Sequence, residues 1–435
     1  MKKFWNEEFE TMALEKMHRF QLESLQRTLE RVYAKVPYYQ QAFDARGVKP
    51  ADLRRLEDLA RFPFTVKTAL RDNYPFGLCT VAPGELARIH ASSGTTGKPI
   101  TGPYTRADIL QWGECMARAM WAQSVRPDDI AQNAYGMGLF TGGLGFLLGF
   151  ETLGCAVIPA GSGQTERQIL LMEDLGTTVL AATPTYALTI AERAIELGKD
   201  LRRFPLRVGL FGAEPWTPKM KVLLEERMGI VAHEHYGLTE LMGPGVAFSC
   251  AAGALHVNED HVYAEVIDPE TEQPVGLDRS GELVLTSLQR EAMPMVRYRT
   301  RDITRLRRAA CPCGRTTVTM DKVTGRSDDM MIVSGVNVFP SQVESVLMEF
   351  AEIEPQYVIH LFKKGYIDAI RVETEVKPAL YEKGAGYIES IGGQVADRLQ
   401  QVIGIKIPVA ILPAGSIPRS VGKAKRIVDE RREIQ

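Results

Sequence analysis

The chain has little cysteine, no long unbroken apolar run and no excess of either charge. Six cysteines in 435 residues are too few and too scattered for a disulfide framework, which belongs to small secreted domains. Cys79, Cys115 and Cys155 stand alone and are expected as packed thiols. The nearest approach to an apolar run is Met137–Phe150, which five glycines interrupt and which is too short to span a bilayer. No membrane partner is expected. The opening residues, MKKFWNEEFE, carry two lysines with no apolar stretch behind them. That is not the pattern of a secretory leader, and the cytoplasm is the expected compartment. A formal net charge of −2 gives no electrostatic reason to expect a nucleic acid or an anionic membrane surface as partner. The length exceeds what one core supports, so two or more domains are expected.

What is present is a polar loop, Ala91–Thr101, reading ASSGTTGKPIT. Its central stretch, Ser92–Lys98, carries no large apolar side chain. It offers hydroxyls, free backbone N–H groups and one lysine, and glycine lets such N–H groups converge on a concave face that suits phosphate oxygens. It is not a Walker A loop, because Lys98 is followed by proline rather than Ser or Thr at the head of a helix. By itself the stretch reads equally well as a solvated turn.

Periodicity supplies the frame. Leu22, Leu25, Leu29 and Val32 predict an amphipathic helix that stops at Val36-Pro37. Thr105 with Asp108 predicts a capped helix whose apolar face carries Ile109, Trp112, Met116 and Met120. Short apolar runs at Ile130–Ala134, Cys155–Pro159, Val179–Ala182 and Val208–Phe211 predict buried strands. Helical patterns at Thr165–Leu175 and Thr185–Leu197 separate the last three, which argues for βαβ units and a mostly parallel sheet. After about Gly253 the character changes, and Val262–Ile267 and Glu282–Thr286 predict antiparallel strands. A separate unit begins after Gly325. It has a strand at Val333–Phe339, a helix opened by a Ser341/Glu344 capping box, a hairpin of Tyr357–Phe362 with Ala369–Val376, a helix around Val395–Val402 and a strand at Val409–Leu412. Lys423–Arg432 predicts a solvated helix face. The fold class is therefore α/β: a large N-terminal domain of mostly parallel αβ-layered sheet plus a β subdomain, and a small α+β C-terminal domain.

Four further polar stretches stand in apolar surroundings. Gly212-Ala213-Glu214-Pro215 follows a buried strand, where open α/β sheets hold ligands. Tyr236–Glu240, YGLTE, offers an aromatic face, a hydroxyl and a carboxylate, suited to a base, a phosphate and a divalent metal. Arg297–Asp302, RYRTRD, holds a carboxylate able to accept from sugar hydroxyls. Pro418–Lys423, PRSVGK, puts a lysine after a glycine, where it can neutralise a transferring phosphoryl oxygen. Singly, Glu240 reads as a helix cap, Asp302 as a surface partner of Arg299, and Lys423 as a solvated lysine.

In this order, the stretches resemble the acyl-adenylate-forming (AMP-forming) synthetases over essentially the full length. The resemblance rests on SSGTTGKP, YGLTE, RYRTRD, GRSDDMMIVSGVNVFP at Gly325–Pro340 and PRSVGK. Within that superfamily the chain looks most like phenylacetate–CoA ligase and its aryl-CoA ligase relatives, through AYGMGLFTGGLG at Ala134–Gly145, FGAEPW at Phe211–Trp216, YGLTELMGPGV and SGVNVFPSQVE.

The resemblance implies roles. Ser92, Ser93, Gly94, Thr95, Thr96 and Lys98 would hold the ATP phosphates, and Gly212, Ala213, Glu214 and Pro215 would line the adenine. Tyr236 would lie against the base, Thr239 would contact phosphate and Glu240 would hold Mg²⁺. Asp302 would bind the ribose with Arg326 nearby. Lys423 would serve adenylation. Asp328 would be the hinge between residues 1–326 and 327–435, and its turning would bring Gly335 to the site for coenzyme A. The acid would lie among Tyr135, Phe140, Gly142, Gly143, His235 and Pro244. Met137 replaces a tyrosine of the family pattern, which leaves room for a differently shaped aryl acid. The implied activity is ATP-dependent formation of an aryl acyl-AMP and its transfer to coenzyme A, in a homodimer. Loading of an acyl carrier protein, or nucleotide binding without catalysis, are the alternatives.

Cys250, His256, Cys311 and Cys313 make a Cys₃His set of the kind that holds structural zinc. Some relatives that the chain resembles carry such a set. Free thiols beside a surface histidine are the other reading.

Overall fold

In the computed structural model the described residues are 2–92, 99–327, 331–333, 336–364, 367–419 and 426–431. The N-terminal helix runs Leu14–Lys35 and buries Leu25, Leu29 and Val32. It stops where Val36 precedes a proline, which disfavours helical backbone there. Pro37 then occupies the first turn of the next helix, Pro37–Arg46, a position that needs no N–H. The helix Arg106–Ala122 begins at the expected cap. The Asp108 N–H donates to the Thr105 hydroxyl at 3.1 Å, and the Thr105 N–H donates to the Asp108 carboxylate at 2.9 Å. Its buried face holds Trp112, Met116 and Met120.

Among the described residues the large part is organised by one twelve-stranded sheet. Ala156–Ile158, Ile130–Asn133, Val179–Ala182, Val208–Gly212 and Val231–Leu238 lie side by side and parallel. Val179–Ala182 is apolar and buried throughout, as a strand covered on both faces requires, whereas Val231–Leu238 carries His233, Glu234 and His235. Gly243–Ser249 then pairs antiparallel with Val231–Leu238. The sheet continues through Leu255–Val257, Thr319–Met320, Tyr298–Arg307, Ser280–Ser287 and Val262–Ile267. The expected β subdomain is thus the antiparallel half of one sheet, and it starts at Gly243 rather than after Gly253. No described helix is long and apolar enough to cross a membrane.

The C-terminal part has its own four-stranded sheet, in the order Val409–Leu412, Ile367–Val376, Ile353–Lys364, Ile427–Asp429. Val343, Leu347, Tyr357, Ile359, Val372, Val395 and Leu399 pack into a core of residues from Met331 onward. Three local expectations are corrected here. Val333–Phe339 is not one strand: Met331–Val333 and Val336–Val338 pair antiparallel, with Met331 opposite Val338. Ser341 does not cap the next helix. Pro340 takes the first helical position, so Gln342 accepts from the Phe339 N–H at 2.9 Å. Ser341 instead donates to the Thr324 carbonyl, and Glu344 is buried against the Tyr357 hydroxyl at 2.9 Å. Finally, Ile427–Asp429 is a strand, parallel to Ile353–Lys364. Its β-branched residues cover an edge that would otherwise stay unpaired.

Candidate functional site

The polar loop spans two short antiparallel strands, Arg88–Ala91 and Thr101–Tyr104, with Ala91 opposite Thr101. Ser92 pinches its base: the Ser92 N–H donates to the Ile100 carbonyl at 2.8 Å, and the Ile100 N–H donates to the Ser92 hydroxyl at 3.0 Å. Ser93, Gly94, Thr95, Thr96 and Lys98 lie outside the described residues, as do Asp328, Gly335 and Lys423.

The strand leaving the loop rests on the YGLTE turn. A Cβ on Gly102 would stand 2.8 Å from the Thr239 carbonyl oxygen, so only glycine permits that approach. Arg290, which sequence reasoning missed, holds the same junction. Its guanidinium donates to the Glu240 carbonyl at 3.2 Å and the Pro103 carbonyl at 3.0 Å, and lies 4.4 Å from the Tyr104 ring centroid. In the sequence Arg290 sits between Gln289 and Glu291 and carries no motif that would have marked it. Glu240 is buried, and its carboxylate accepts from the Tyr298 hydroxyl at 3.1 Å.

Tyr236 and Asp302 meet directly. The phenol donates to Asp302 Oδ2 at 2.5 Å, while Arg326 Nη1 stands 3.3 Å from Oδ1. Asp302 and Arg326 are register partners on neighbouring strands. Burial, with the adjacent carboxylate, pushes the Tyr236 phenol well above its usual range. Arg299 is not the partner of Asp302; it is paired with Glu282 at 2.9 Å. Tyr236, Asp302 and Arg326 are therefore joined by direct contacts, and Thr239 and Glu240 follow Tyr236 in the same motif, with Glu240 held by Tyr298 on the strand that also carries Asp302.

On the parallel side, Gly212 is the register partner of His235, and a Cβ on Gly212 would lie 2.4 Å from the His235 carbonyl oxygen. Ala213 holds a positive φ of 72°, a strained backbone for a residue with a side chain. The Glu214 carboxylate is engaged at the head of the helix Pro184–Glu196, accepting from the Thr185 N–H at 2.8 Å. It anchors the turn Gly212–Pro215 to that helix.

The acid-site candidates gather at the head of the helix Thr141–Leu153. Tyr135 stacks on Phe146 at 4.7 Å between ring centroids, and His235 meets the same ring edgewise at 4.8 Å. Burial holds the Tyr135 phenol well above its usual range and pushes His235 down to about 3. His235 Nε2 lies 2.8 Å from the Gln123 side-chain oxygen. Gly142 faces the Tyr135 ring, the Gly143 carbonyl accepts from Asn133 at 2.7 Å, and the Pro244 carbonyl accepts from Trp112 Nε1 at 2.6 Å. Phe140 differs: it precedes the helix with its side chain 51% exposed. Trp112, read from sequence only as core, also walls this region.

Cys250, His256, Cys311 and Cys313 bring one ligand atom each within 4.8 Å of one another. The Cys250 and Cys311 sulfurs are 3.7 Å apart, and Cys313 Sγ is 3.4 Å from His256 Nε2. A tetrahedron with Zn–S of about 2.3 Å and Zn–N of about 2.0 Å has edges of roughly 3.8 and 3.5 Å, so the donor set fits that ion. His256 Nδ1 lies 3.0 Å from the Thr317 hydroxyl, which orients the ring.

The fold and this site define an α/β nucleotide-handling enzyme. Residues 16–289 match the family described as AMP-binding enzyme, and residues 335–431 match the AMP-binding enzyme C-terminal domain. The phenylacetate-coenzyme A ligase of Aromatoleum evansii is 45% identical over 429 residues, covering 98% of this chain and 97% of that protein. That of Thermus thermophilus is 42% identical, covering 98% and 99%. The chain belongs to the AMP-binding enzyme family, beside these phenylacetate-coenzyme A ligases. A crystal structure of 2-hydroxyisobutyryl-CoA ligase in the postadenylation state, complexed with 2-HIB-AMP, superposes with a TM-score of 0.93 at 28% identity, covering 99% of this chain and 93% of that one. The same enzyme in the thioesterification state, with 2-HIB-AMP and CoA, gives 0.74 at 28% identity and the same coverages.

Proposed function

We propose that the chain converts phenylacetate, or an aryl acid close to it, into its coenzyme A thioester in two steps at one site. The supporting observation is the set Thr239, Glu240, Tyr236, Asp302 and Arg326, brought against the base of the polar loop by Gly102 and Arg290. In the first step a substrate carboxylate oxygen attacks the α-phosphorus of ATP in line. The α–β bridging oxygen leaves with pyrophosphate, and an acyl-AMP remains. Asp302, fixed by Tyr236 and Arg326, accepts from the ribose hydroxyls. Tyr236 and the turn Gly212–Pro215 flank the base. Ser92 to Thr96, Lys98 and Thr239 hold the phosphates, and Lys423 bears on the charge that develops at the reacting phosphoryl group.

The Glu240 carboxylate, buried and steadied by Tyr298, is the residue that would hold Mg²⁺, which supplies charge neutralisation at the phosphates. In the second step the coenzyme A sulfur attacks the acyl carbon, and the phosphate oxygen departs with AMP. We assign residues 1–326 to the nucleotide- and acid-binding unit. Residues 327–435 form a unit that turns about Asp328, withdrawing Lys423 and presenting Gly335. Tyr135, Phe146, His235 and Trp112 supply apolar walls for the arene, while His235 stays neutral. The Cys₃His set holds a structural zinc that joins the segment after YGLTE to the segment after RYRTRD. The working form is a cytoplasmic homodimer.

The test is a panel of aryl and alkyl acids assayed for AMP release with and without coenzyme A. Coenzyme A-dependent AMP release that is greatest with phenylacetate or a near relative is expected. No acid-dependent pyrophosphate exchange with any aryl acid would refute the reading.

A further inference from the structure

The C-terminal part is tied to the large part by an alternating line of charge. Glu375, fully buried on the strand Ile367–Val376, gathers the backbone just before PRSVGK. One oxygen accepts from the Ile417 N–H at 2.6 Å and from Arg419 Nη1 at 3.0 Å; the other accepts from the Gly415 N–H at 3.0 Å and from Arg419 Nη2 at 2.9 Å. The guanidinium is held at both nitrogens, so its direction is set before it meets any other partner. Its remaining nitrogen, Nε, stands 3.7 Å from Glu192 on the helix Pro184–Glu196 of the large part. Glu192 lies 3.4 Å from Arg227, and Arg227 lies 3.8 Å from Glu354 on the strand Ile353–Lys364. The line crosses between the two parts twice.

We propose that Arg419 and Glu192 are positioning residues for adenylation: their pairing holds the C-terminal part in the orientation that delivers the segment following Arg419 to ATP and the acid. The arrangement seen here is the one shared with the postadenylation state of 2-hydroxyisobutyryl-CoA ligase rather than with its thioesterification state. Contacts between the two parts are what a change of orientation must break. A pair that exists in one orientation and not the other biases the balance by its differential energy. With Glu192 and Arg419 side chains 21% and 27% exposed, each pair is too wet to decide whether the chain folds. It is strong enough to shift an equilibrium between two orientations several-fold. The buried Glu375 bundle makes the coupling directional, because moving Arg419 moves the backbone that leads to Lys423. This inference rests on the adenylation role proposed for Lys423.

The experiment measures both half-reactions with phenylacetate in Glu192→Gln, Glu354→Gln and Lys423→Ala. Adenylation is read as acid-dependent pyrophosphate exchange, and thioester formation as coenzyme A consumption from supplied phenylacetyl-AMP. Glu192→Gln should slow adenylation by about three- to tenfold and leave thioester formation unchanged or faster. Glu354→Gln, at the second crossing, should do the same more weakly. Glu192→Lys, which sets a third positive charge between Arg227 and Arg419, should deepen the loss. Lys423→Ala should abolish adenylation alone. If Lys423→Ala spares adenylation, the role of Lys423 is wrong. If Lys423→Ala behaves as stated but Glu192→Gln changes neither step, or slows both equally, the positioning role is overturned.

Discussion

The Tyr236 hydroxyl donates to Asp302 Oδ2 at 2.5 Å, joining two motifs that lie 66 residues apart. The contact fixes the plane of the aromatic ring and the direction of the carboxylate together, while Arg326 holds the other carboxylate oxygen. A hydrogen bond to a charged group contributes about 1.5–3 kcal/mol. Tyr236→Phe should therefore raise KM for ATP by about tenfold or more with a smaller change in kcat. Initial rates against ATP concentration measure this, and an unchanged KM would separate Tyr236 from the nucleotide.

Gly237, inside the YGLTE motif, admits no side chain. A Cβ there would stand 1.6 Å from the Gly243 carbonyl oxygen and 2.4 Å from its carbon. The obstacle is backbone, which cannot rotate away. Gly237→Ala should cost roughly 3 kcal/mol of stability, seen as a lower thermal midpoint, and should displace Thr239 and Glu240. A variant as stable and active as the parent would contradict the close approach.

Arg118 and Asp260 form a buried pair with guanidinium-to-carboxylate distances of 2.7 and 2.9 Å. Both side chains are 2% exposed, so removing Arg118 leaves the Asp260 carboxylate only His261, 3.4 Å away, whose imidazole burial holds below its usual range. Arg118→Ala should lower stability by about 3–5 kcal/mol, and Arg118→Met with Asp260→Leu should recover much of it. Denaturant unfolding of the single and double variants tests the asymmetry.

Zinc analysis of purified protein should find about one ion per chain, held by Cys250, His256, Cys311 and Cys313. Cys313→Ala removes one of the four ligands and should release the ion and lower the thermal midpoint. Fully folded protein without zinc would leave the four side chains as free thiols and a buried histidine.

Stability should fall on acidification through two histidines. Burial pushes His233 down to about 4 and His235 down to about 3. The unfolded chain protonates both near pH 6.5 while the folded chain does not, so the unfolded state binds more protons below that pH. The stability they contribute is present above about pH 6.5. As pH falls it is lost at up to roughly 1.4 kcal/mol per unit for each residue, ending near pH 4 for His233 and pH 3 for His235. Guanidinium midpoints between pH 7 and 5 should decline, and the slope should flatten in His233→Gln.

Local signals read well from the chain. The cap at Thr105, the strand Val179–Ala182 and the break at Val36-Pro37 depend on neighbours within a few residues, so propensity and periodicity decide them. The order of the polar motifs carried the family. The signal failed at Ser341, because Pro340 took the first helical position, and at Ile427–Asp429, because the free edge of a distant strand decided its conformation.

The sequence by itself determined which chemistry-bearing residues exist and in what order: the polar loop, YGLTE, RYRTRD, the cysteines and the lysine near the end. Only the tertiary structure decided which of them touch. Tyr236 on Asp302, Gly102 against Thr239, Arg290 between two carbonyls, and Arg419 on Glu192 all join residues far apart in the chain. Such contacts depend on sheet register and on the docking of one part against another. Side-chain type along the chain carries neither, since strand pairing across a long separation is set by the packing of the whole core.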